Sequence, residues 1–467
     1  VPRLVKRRVR TEAPHAPSQD EQVARIFQQI LAEAGELEDK HLRDLWCDAV
    51  QTYINSGDIA ALIDVTKWRR PVVDLETFLH DPAYLGIKES EIYPGLIEML
   101  HALDTDQYDE VVMKGALGIG KTTGANYGTL RDLYKLSCMR NPQQVYGIGS
   151  NTPIVFTIQS VRLATAKKVV FGELGRLCRA SPYFRNKFMF DQLISSELIF
   201  HEHNIRVMPV SSSGTAVISM NVIGGQLDEA NFLQKTIHSK SQNADESGGF
   251  DQAKLLYNTL AARRKSRFTH RQGLPGALYL ISSSRFPDDF TELKAQEAEM
   301  YGGKDKRIYV FEGSQWSIKG RDKFRAEEFQ VQIGNESFPS RVLTNGAVAN
   351  PGCQVINVPM DFLEDFERDT EGSIRDLAGL TTLATHPFIT QRHKIAEAME
   401  LATDKGYLNP LGLEQVCFAD GLPKPNLHRL RTDVDAPRHA HIDLGISKDA
   451  CGIAIGHIAG HMVKETV

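Results

Sequence analysis

Residues 109–123 read DEVVMKGALGIGKTT. A short β-branched run leads into a glycine-rich loop, and the loop ends in Lys-Thr. The pattern G-x-x-x-x-G-K-[ST] falls on Gly115, Gly120, Lys121 and Thr122. Glycines let backbone N–H groups turn inward on phosphate oxygens, and the helix that follows offers its positive N-terminal end to the same charge. Lys121 is placed to reach the β- and γ-phosphates of a nucleotide, and the Thr122 hydroxyl to bind Mg²⁺. Gly118 and Thr123 complete the expected phosphate contacts. EVVMK before the loop and an apolar helix after it supply the strand–loop–helix setting that such a cradle needs. These flanks count against the rival reading, an ordinary glycine-rich turn.

A phosphate loop alone does not hydrolyse ATP; an acidic pair must hold metal and water. VIGGQLDEANF (222–232) offers one. Asp228 would complete the Mg²⁺ shell and Glu229 would polarise the attacking water. Gly224-Gly225-Gln226 makes a poorer strand than the usual apolar run, so a surface turn competes here. The separation from Lys121 suits a sheet with additional strands between the two motifs. A third piece, ALYLISSSRFPDDF (277–290), is an apolar strand ending in hydroxyls. Ser282, Ser283 or Ser284 could sense a γ-phosphate, and Arg285 follows at once. On composition alone, a strand running into a turn is the better reading of this piece.

The whole chain sets bounds around these motifs. Its 467 residues allow two or three domains, and 42% hydrophobic with 24% charged residues is ordinary for a soluble globular protein. No apolar run of about 18 residues occurs, so no membrane span is expected. VPRLVKRRVR at the start has no apolar stretch after its basic residues and does not read as a secretory signal. It also lacks an initiator Met, so the numbering is not expected to begin at the true start. Six scattered cysteines without a C-x-x-C pair suggest reduced thiols in a cytosolic protein and argue against structural zinc. A formal net charge of −5 argues against a coat of permanent DNA contacts but not against local basic patches. AARRKSRFTHRQ (261–272) is one such patch, on the end of an expected helix. It is a candidate DNA- or subunit-facing surface, with a solvated helix face as the rival.

Along the chain, residues 1–20 read as a disordered basic tail and about 20–61 as helix, with short helical pieces to 105. Between 109 and 284 strands and helices alternate, as in a parallel sheet flanked by helices. The expected strands are 110–115, 144–150, 198–210 (a possible hairpin), 221–227 and 276–284, and 152–178 reads as helix. After about 330 the pattern turns irregular, then helical at 360–380. Residues 419–439 have a linker's composition, and a new strand begins at 440–458. The expected division is a tail and helical region at 1–105, a P-loop ATPase core at 106–330, a linker and lid at 331–437, and a new domain from 438.

Taken together, these pieces resemble the large terminase subunit, the DNA-packaging motor of tailed double-stranded DNA bacteriophages. FLHDPAYLG and IYPGLIEML lie upstream of GALGIGKTT, and SPYF, GGQLDEANF and the strand ending in SSS follow it. VPMDFLEDFERDTEGSIRDLAGL (358–380) and HIDLGISKDACGIAIGH (441–457) complete the set. The order carries more weight than any one motif. The resemblance implies an α/β fold: a P-loop NTPase of the additional-strand (ASCE) class with a helical N-terminal region, then a linker and the start of an RNase H-like nuclease domain. It implies an ATP hydrolase that translocates viral DNA and a metal-dependent endodeoxyribonuclease. Lys121 and Thr122 would hold ATP and Mg²⁺, Asp228 and Glu229 would be the acidic pair, and Ser282–Ser284 the coupling motif. Asp443 would be the first carboxylate of a nuclease site using Mg²⁺ or Mn²⁺. A two-metal nuclease needs carboxylates clustered around ions about 4 Å apart. The sequence stops at Val467, inside what should be the second nuclease strand, so this stretch by itself is not expected to cut DNA.

The implied partners are duplex DNA, a portal protein, a small terminase subunit and further copies in a homo-oligomeric ring, with a pentamer expected. No membrane is involved, and the implied location is the cytoplasm of an infected bacterial host, transiently docked on the procapsid portal. A positive group on the γ-phosphate is also needed. Lys114 and Arg285 are candidates in cis; Arg162, Arg263 and Arg264 are candidates from a neighbouring subunit. Two rivals stand beside the motor. A P-loop DNA helicase should carry a second ATPase lobe, which is not legible after residue 330. A nucleotide-binding assembly scaffold would have no use for Glu229.

Overall fold

The computed structural model describes residues 40–57, 67–211, 217–233, 235–236, 250–268, 273–300, 307–335, 338–344, 347–382, 438–443 and 452–457, with Arg25 besides. The expected tail at 1–20, the side chain of Asp443 and all of the linker read at 419–439 except its last two residues, which begin a strand, lie outside the described residues. The chain divides into two compact units after Thr385.

The first unit is built on β1 (Glu110–Met113), β2 (Ile154–Gln159), β3 (Leu198–Phe200), β4 (Ile205–Pro209) and β5 (Val222–Asp228). A two-stranded ribbon of β6 (Lys235–Thr236) and β7 (Phe250–Asp251) precedes β8 (Leu278–Ile281) and β9 (Ile308–Phe311). Seven of these form one sheet in the order β3-β4-β2-β5-β8-β1-β9. Every pair in it is parallel except β3 with β4. β8 thus lies between the strand that feeds the phosphate loop and the strand that ends in the acidic pair. That is the additional-strand arrangement, as the sequence led us to expect.

A parallel sheet is covered on both faces, which is why its strands are nearly all apolar. Alternate side chains divide two cores. Val111, Met113, Tyr279 and Ile281 face one layer with the helix Lys121–Cys138, and Val112, Leu278 and Leu280 face the other with Leu256 and Leu260 of the helix Gln252–Arg267. On the first face, Tyr134 stacks on Phe78 at 4.9 Å and Tyr84 on Tyr183 at 5.4 Å. Ser181 donates to the Tyr84 carbonyl at 2.7 Å. FLHDPAYLG and SPYF are therefore packing sequences that fasten the upstream helices to the core.

The two glycines of β5 have a steric cause. Gly225 sits at φ +146°, and a Cβ there would lie 2.0 Å from the Thr157 carbonyl oxygen of β2. A Cβ on Gly224 would meet the Ala277 carbonyl oxygen at 2.4 Å. β5 is wholly buried, and its register against β2 shifts between Val155 and Phe156. The surface-turn reading of this stretch is excluded.

Three expectations need correction. Residues 144–150 are not a strand. Asn141 caps a short helix, Pro142–Val145, by accepting from Gln144 N at 3.1 Å, and proline suits the first helical position. The strand comes later, as β2, at the head of the stretch read as helix. Its helical remainder runs from Leu163 through a π-helical segment, Ala166–Phe171, into Gly172–Ala180. Beyond 330 the described chain is not irregular either. β10 (Glu328–Ile333), β11 (Arg341–Leu343) and β12 (Gln354–Pro359) form an antiparallel sheet in the order β11-β10-β12. Phe329, Val331 and Val358 pack there with Phe366, Ile374 and Ala378 in a core of their own.

In the second unit, β13 (Arg438–Asp443) and β14 (Gly452–His457) pair antiparallel, with Asp443 opposite Gly452. The new strand expected to begin within 440–458 is β13, and β14 lies in the same stretch.

Candidate nucleotide site

β1 ends at Met113, and the helix Lys121–Cys138 begins after seven intervening residues. Gly115, Gly118 and Gly120 between them all have positive φ, the region that glycine enters without a Cβ penalty. Gly120 is the N-cap and Lys121 the first helical residue, so the helix's free N–H groups open on the loop. Thr122 and Thr123, half-buried, follow in the first turn.

Lys121 is 9% exposed, and its Nζ folds back on the loop. It donates to the carbonyls of Ala116 at 2.6 Å and Gly115 at 3.3 Å, and to Ser283 Oγ at 3.4 Å. Burial lowers its pKa to about 8, against the pull of the carboxylates of Glu229, Asp228 and Asp376. Two carbonyls and a hydroxyl are weak partners for a buried ammonium. A phosphate oxygen would be a stronger one.

Asp228 closes β5 and is 6% exposed. Burial first, and the charge of Glu229 next, push its pKa up to about 7. Glu229 occupies the left-handed region at φ 55°, ψ 41°, which a non-glycine residue adopts only where its surroundings hold it. Burial raises its carboxyl as well, and among the described residues its buried Oε2 has no hydrogen-bond partner. An unpaired carboxylate oxygen beside a buried lysine is a place for a polar ligand or water.

Each serine of the strand end meets a different part of the site. Ser284 Oγ accepts from Gly115 N at 3.0 Å. Ser283 Oγ takes the long Lys121 contact, and Ser282 Oγ accepts from Asn231 N at 3.2 Å. β8 therefore touches the phosphate loop and the acidic turn together. The residues expected of the nucleotide site converge at the carboxyl ends of β1, β8 and β5.

A family profile described as the N-terminal P-loop domain of the uncharacterized protein MJ0330 matches residues 46–341. The chain belongs to this P-loop family. Among solved structures, the large terminase of bacteriophage HK97 matches at 14% identity over 61% of this chain and 50% of its own, with a TM-score of 0.36. The chain thus spans half the length of that protein. The large terminase of a thermophilic bacteriophage, in complex with ADP, matches at 9% identity over 67% of this chain and 81% of its own, TM-score 0.31. A DnaB-like replicative helicase matches at 9% identity over 73% of each chain, TM-score 0.22. The family match and the strand order together mark the first unit as a P-loop domain. No curated protein matches the chain in sequence.

Within the P-loop domain, two of the five cations considered for a γ-phosphate role are engaged elsewhere. Lys114 is held between Glu292 at 2.8 Å and Glu312 at 2.6 Å. Arg264 is buried and donates to the carbonyls of Ile223 at 2.8 Å, Asp109 at 2.7 Å and Gly276 at 3.3 Å. It ties β5 to the segments leading into β1 and β8, so a role across a subunit boundary is excluded for it. The basic patch read as a surface accordingly has one buried structural member, with Lys265 and Arg267 exposed. Arg263 is half-buried and makes a long contact to Met220 O. Arg285 lies 4.6 Å over the Phe232 ring, beside the acidic turn, and Arg162 is exposed just past β2. These three stay open.

Sequence reasoning missed two polar anchors. Gln226 of β5 donates to Asn126 Oδ1 and Thr129 Oγ1, both at 3.0 Å, which fixes the P-loop helix on the sheet. Asn231 fixes the acidic turn. The signal was present in the polar residues flanking Asp-Glu, but their partners lie too far away in sequence to be paired by eye.

Among the described residues no group of three or more His, Cys, Asp or Glu forms a metal cluster, and no helix is long and apolar enough to cross a membrane. Mg²⁺ in nucleotide sites usually takes one or two carboxylates plus substrate phosphates, so Thr122 and Asp228 fit it without such a cluster.

Asp228 also sets a pH dependence. Its folded value of about 7 exceeds the ordinary 3.8, so the folded state holds a proton that the unfolded state releases between these limits. The resulting stabilisation is complete below the unfolded value and is lost as pH rises through the folded one. The thermal midpoint of the nucleotide-free protein should fall across that window, and Asp228→Asn should flatten the fall. A slope that the variant leaves intact would place the proton elsewhere.

Proposed function

We propose that this chain is the motor of a large-terminase-type machine, hydrolysing ATP to move double-stranded viral DNA into a procapsid. The observation that carries the reading is the convergence of Lys121, the Glu229 carboxylate, whose Oε2 is unpaired among the described residues, and the Ser282–Ser284 strand end on one P-loop. Loop N–H groups and Lys121 bind and orient the phosphates. Mg²⁺, between Thr122 and Asp228, would neutralise charge on the β- and γ-oxygens. Glu229 orients the attacking water and takes its proton. Ser282 and Ser283, bonded to both sides, carry a change at the phosphate to the rest of the sheet.

Duplex DNA, a portal ring, a small terminase subunit, further copies in a ring and the host cytoplasm belong to this reading. So does a nuclease beginning at β13, with Asp443 as its first carboxylate for Mg²⁺ or Mn²⁺. After β9 the described chain forms the antiparallel β10–β12 sheet instead of a second P-loop lobe, which favours a packaging motor over a two-lobed helicase.

Steady-state ATP hydrolysis with and without duplex DNA tests the motor. Turnover should rise several-fold with DNA. Hydrolysis that DNA leaves unchanged, with portal and small subunit also supplied, would sink the DNA-coupled reading. Binding without any hydrolysis would favour the assembly scaffold.

A further inference from the structure

Asn231 holds the left-handed turn that carries Glu229, although it has no part in the chemistry above. It sits in the turn Ala230–Phe232, which Phe232 N closes on the Glu229 carbonyl at 3.0 Å. Its main-chain N donates to Ser282 Oγ at 3.2 Å. Its Nδ2 donates to the Ser283 carbonyl at 3.0 Å and to Thr291 Oγ1 at 2.8 Å, while its Oδ1 accepts from Thr291 N at 3.1 Å. Thr291 stands at the start of the helix Phe290–Met300, and the next residue, Glu292, is the partner of Lys114 just before the phosphate loop. The acidic turn, the end of β8 and the start of this helix are thus closed into one hydrogen-bonded ring.

We infer that Asn231 is the positioning residue for Glu229, locking the turn to Ser283 and Thr291 so that the backbone aims a carboxylate whose Oε2 has no hydrogen-bond partner among the described residues. The inference rests on reading Glu229 as the group that orients water. An oxygen without a hydrogen bond does nothing to keep the carboxylate's direction, so its aim depends on the turn beneath it. Asn suits the task because one amide offers a donor and an acceptor together. Asp would lose the donor to the Ser283 carbonyl. Thr291 supplies the matching hydroxyl and N–H.

The test uses the full chain with Asn231→Ala, Thr291→Val and Thr291→Ser. Misplacing a reacting group by about 1 Å costs on the order of 100-fold in rate. Asn231→Ala should therefore lower kcat about 10- to 100-fold, with KM for ATP within about twofold. Thr291→Val should give a smaller loss that Thr291→Ser largely restores, and the Asn231→Ala/Thr291→Val pair should be no slower than Asn231→Ala alone. Amide hydrogen exchange supplies a readout that needs no turnover. In the nucleotide-free protein both single losses should speed exchange at Asn231 and Phe232 and leave Leu278–Ile281 unchanged. Exchange unaltered at the turn would overturn the inference, as would a KM that rises in step with the fall in kcat. If the unmodified chain hydrolyses no ATP, the proposed function falls, and the exchange result still decides for or against Asn231.

Discussion

Replacing Glu229 by glutamine should all but stop ATP turnover while leaving ATP bound. The amide fills the same volume on the same left-handed turn, so the Asn231 and Ser282 contacts survive. What disappears is the carboxylate whose Oε2 has no hydrogen-bond partner among the described residues. A positioned general base contributes about 10²–10⁴-fold, so kcat should fall by roughly that factor. Affinity for nucleotide should move little, because the loop N–H groups and Lys121 are untouched. The loss of one nearby negative charge would also lower the Lys121 pKa further, since Glu229 is the first of the groups that support its charge. Single-turnover hydrolysis and binding of a fluorescent ATP analogue separate the two effects. A variant that keeps more than about a tenth of its turnover would remove Glu229 from the role of base.

The second large effect is on the fold. Gly225→Ala places a methyl 2.0 Å from the Thr157 carbonyl oxygen and 2.7 Å from the Thr157 amide nitrogen, at φ +146°. Both obstacles are backbone of β2, in the middle of the sheet, and neither is free to swing away. Backbone strain of about 1–3 kcal/mol and overpacking of a similar size add to about 4 kcal/mol. In a domain of this size that lowers the thermal midpoint by about 10 °C or more. Gly172→Ala is the control. It stands at the start of a helix, with 3.4 Å to its nearest obstacle, and should be neutral or slightly stabilising. If Gly225→Ala melts within about 2 °C of the unmodified protein, the β2–β5 approach is looser than described.

Local features of the site were legible in the sequence because local geometry makes them. The phosphate loop needs only a strand, three glycines and a helix start, all contiguous, and β1 and β8 announced themselves by short apolar runs, while the glycines of β5 left a surface turn in competition. β2 did not announce itself. Its run Ile154–Gln159 leads into a helix without a break in polarity, and a short buried strand and a buried helix turn look alike to hydrophobic periodicity. β10 and β12 escaped because both runs are brief and carry exposed polar residues in their first halves. Arg264 was misread for the opposite reason. A run of basic residues suggests solvent, yet this one lies beneath three carbonyls contributed by distant segments. Asn231 and Thr291 are 60 residues apart, and only the folded chain brings them together.

One contact bears on how the loop trades partners. Leu117 N, in the crown of the phosphate loop, donates to the Asp376 carbonyl at 2.7 Å, and Gln315 Nε2 donates to the Leu117 carbonyl at 3.1 Å. An amide proton directed at one acceptor is withheld from another. Any phosphate that takes this proton competes with a tethered carbonyl at high local concentration, so its apparent affinity is the intrinsic one scaled by the fraction of loops already released. The same rivalry hastens departure, because the carbonyl waits to reclaim its donor. A loop built this way gives up tightness of grip in exchange for ease of letting go, and a cyclic machine depends on the second as much as on the first.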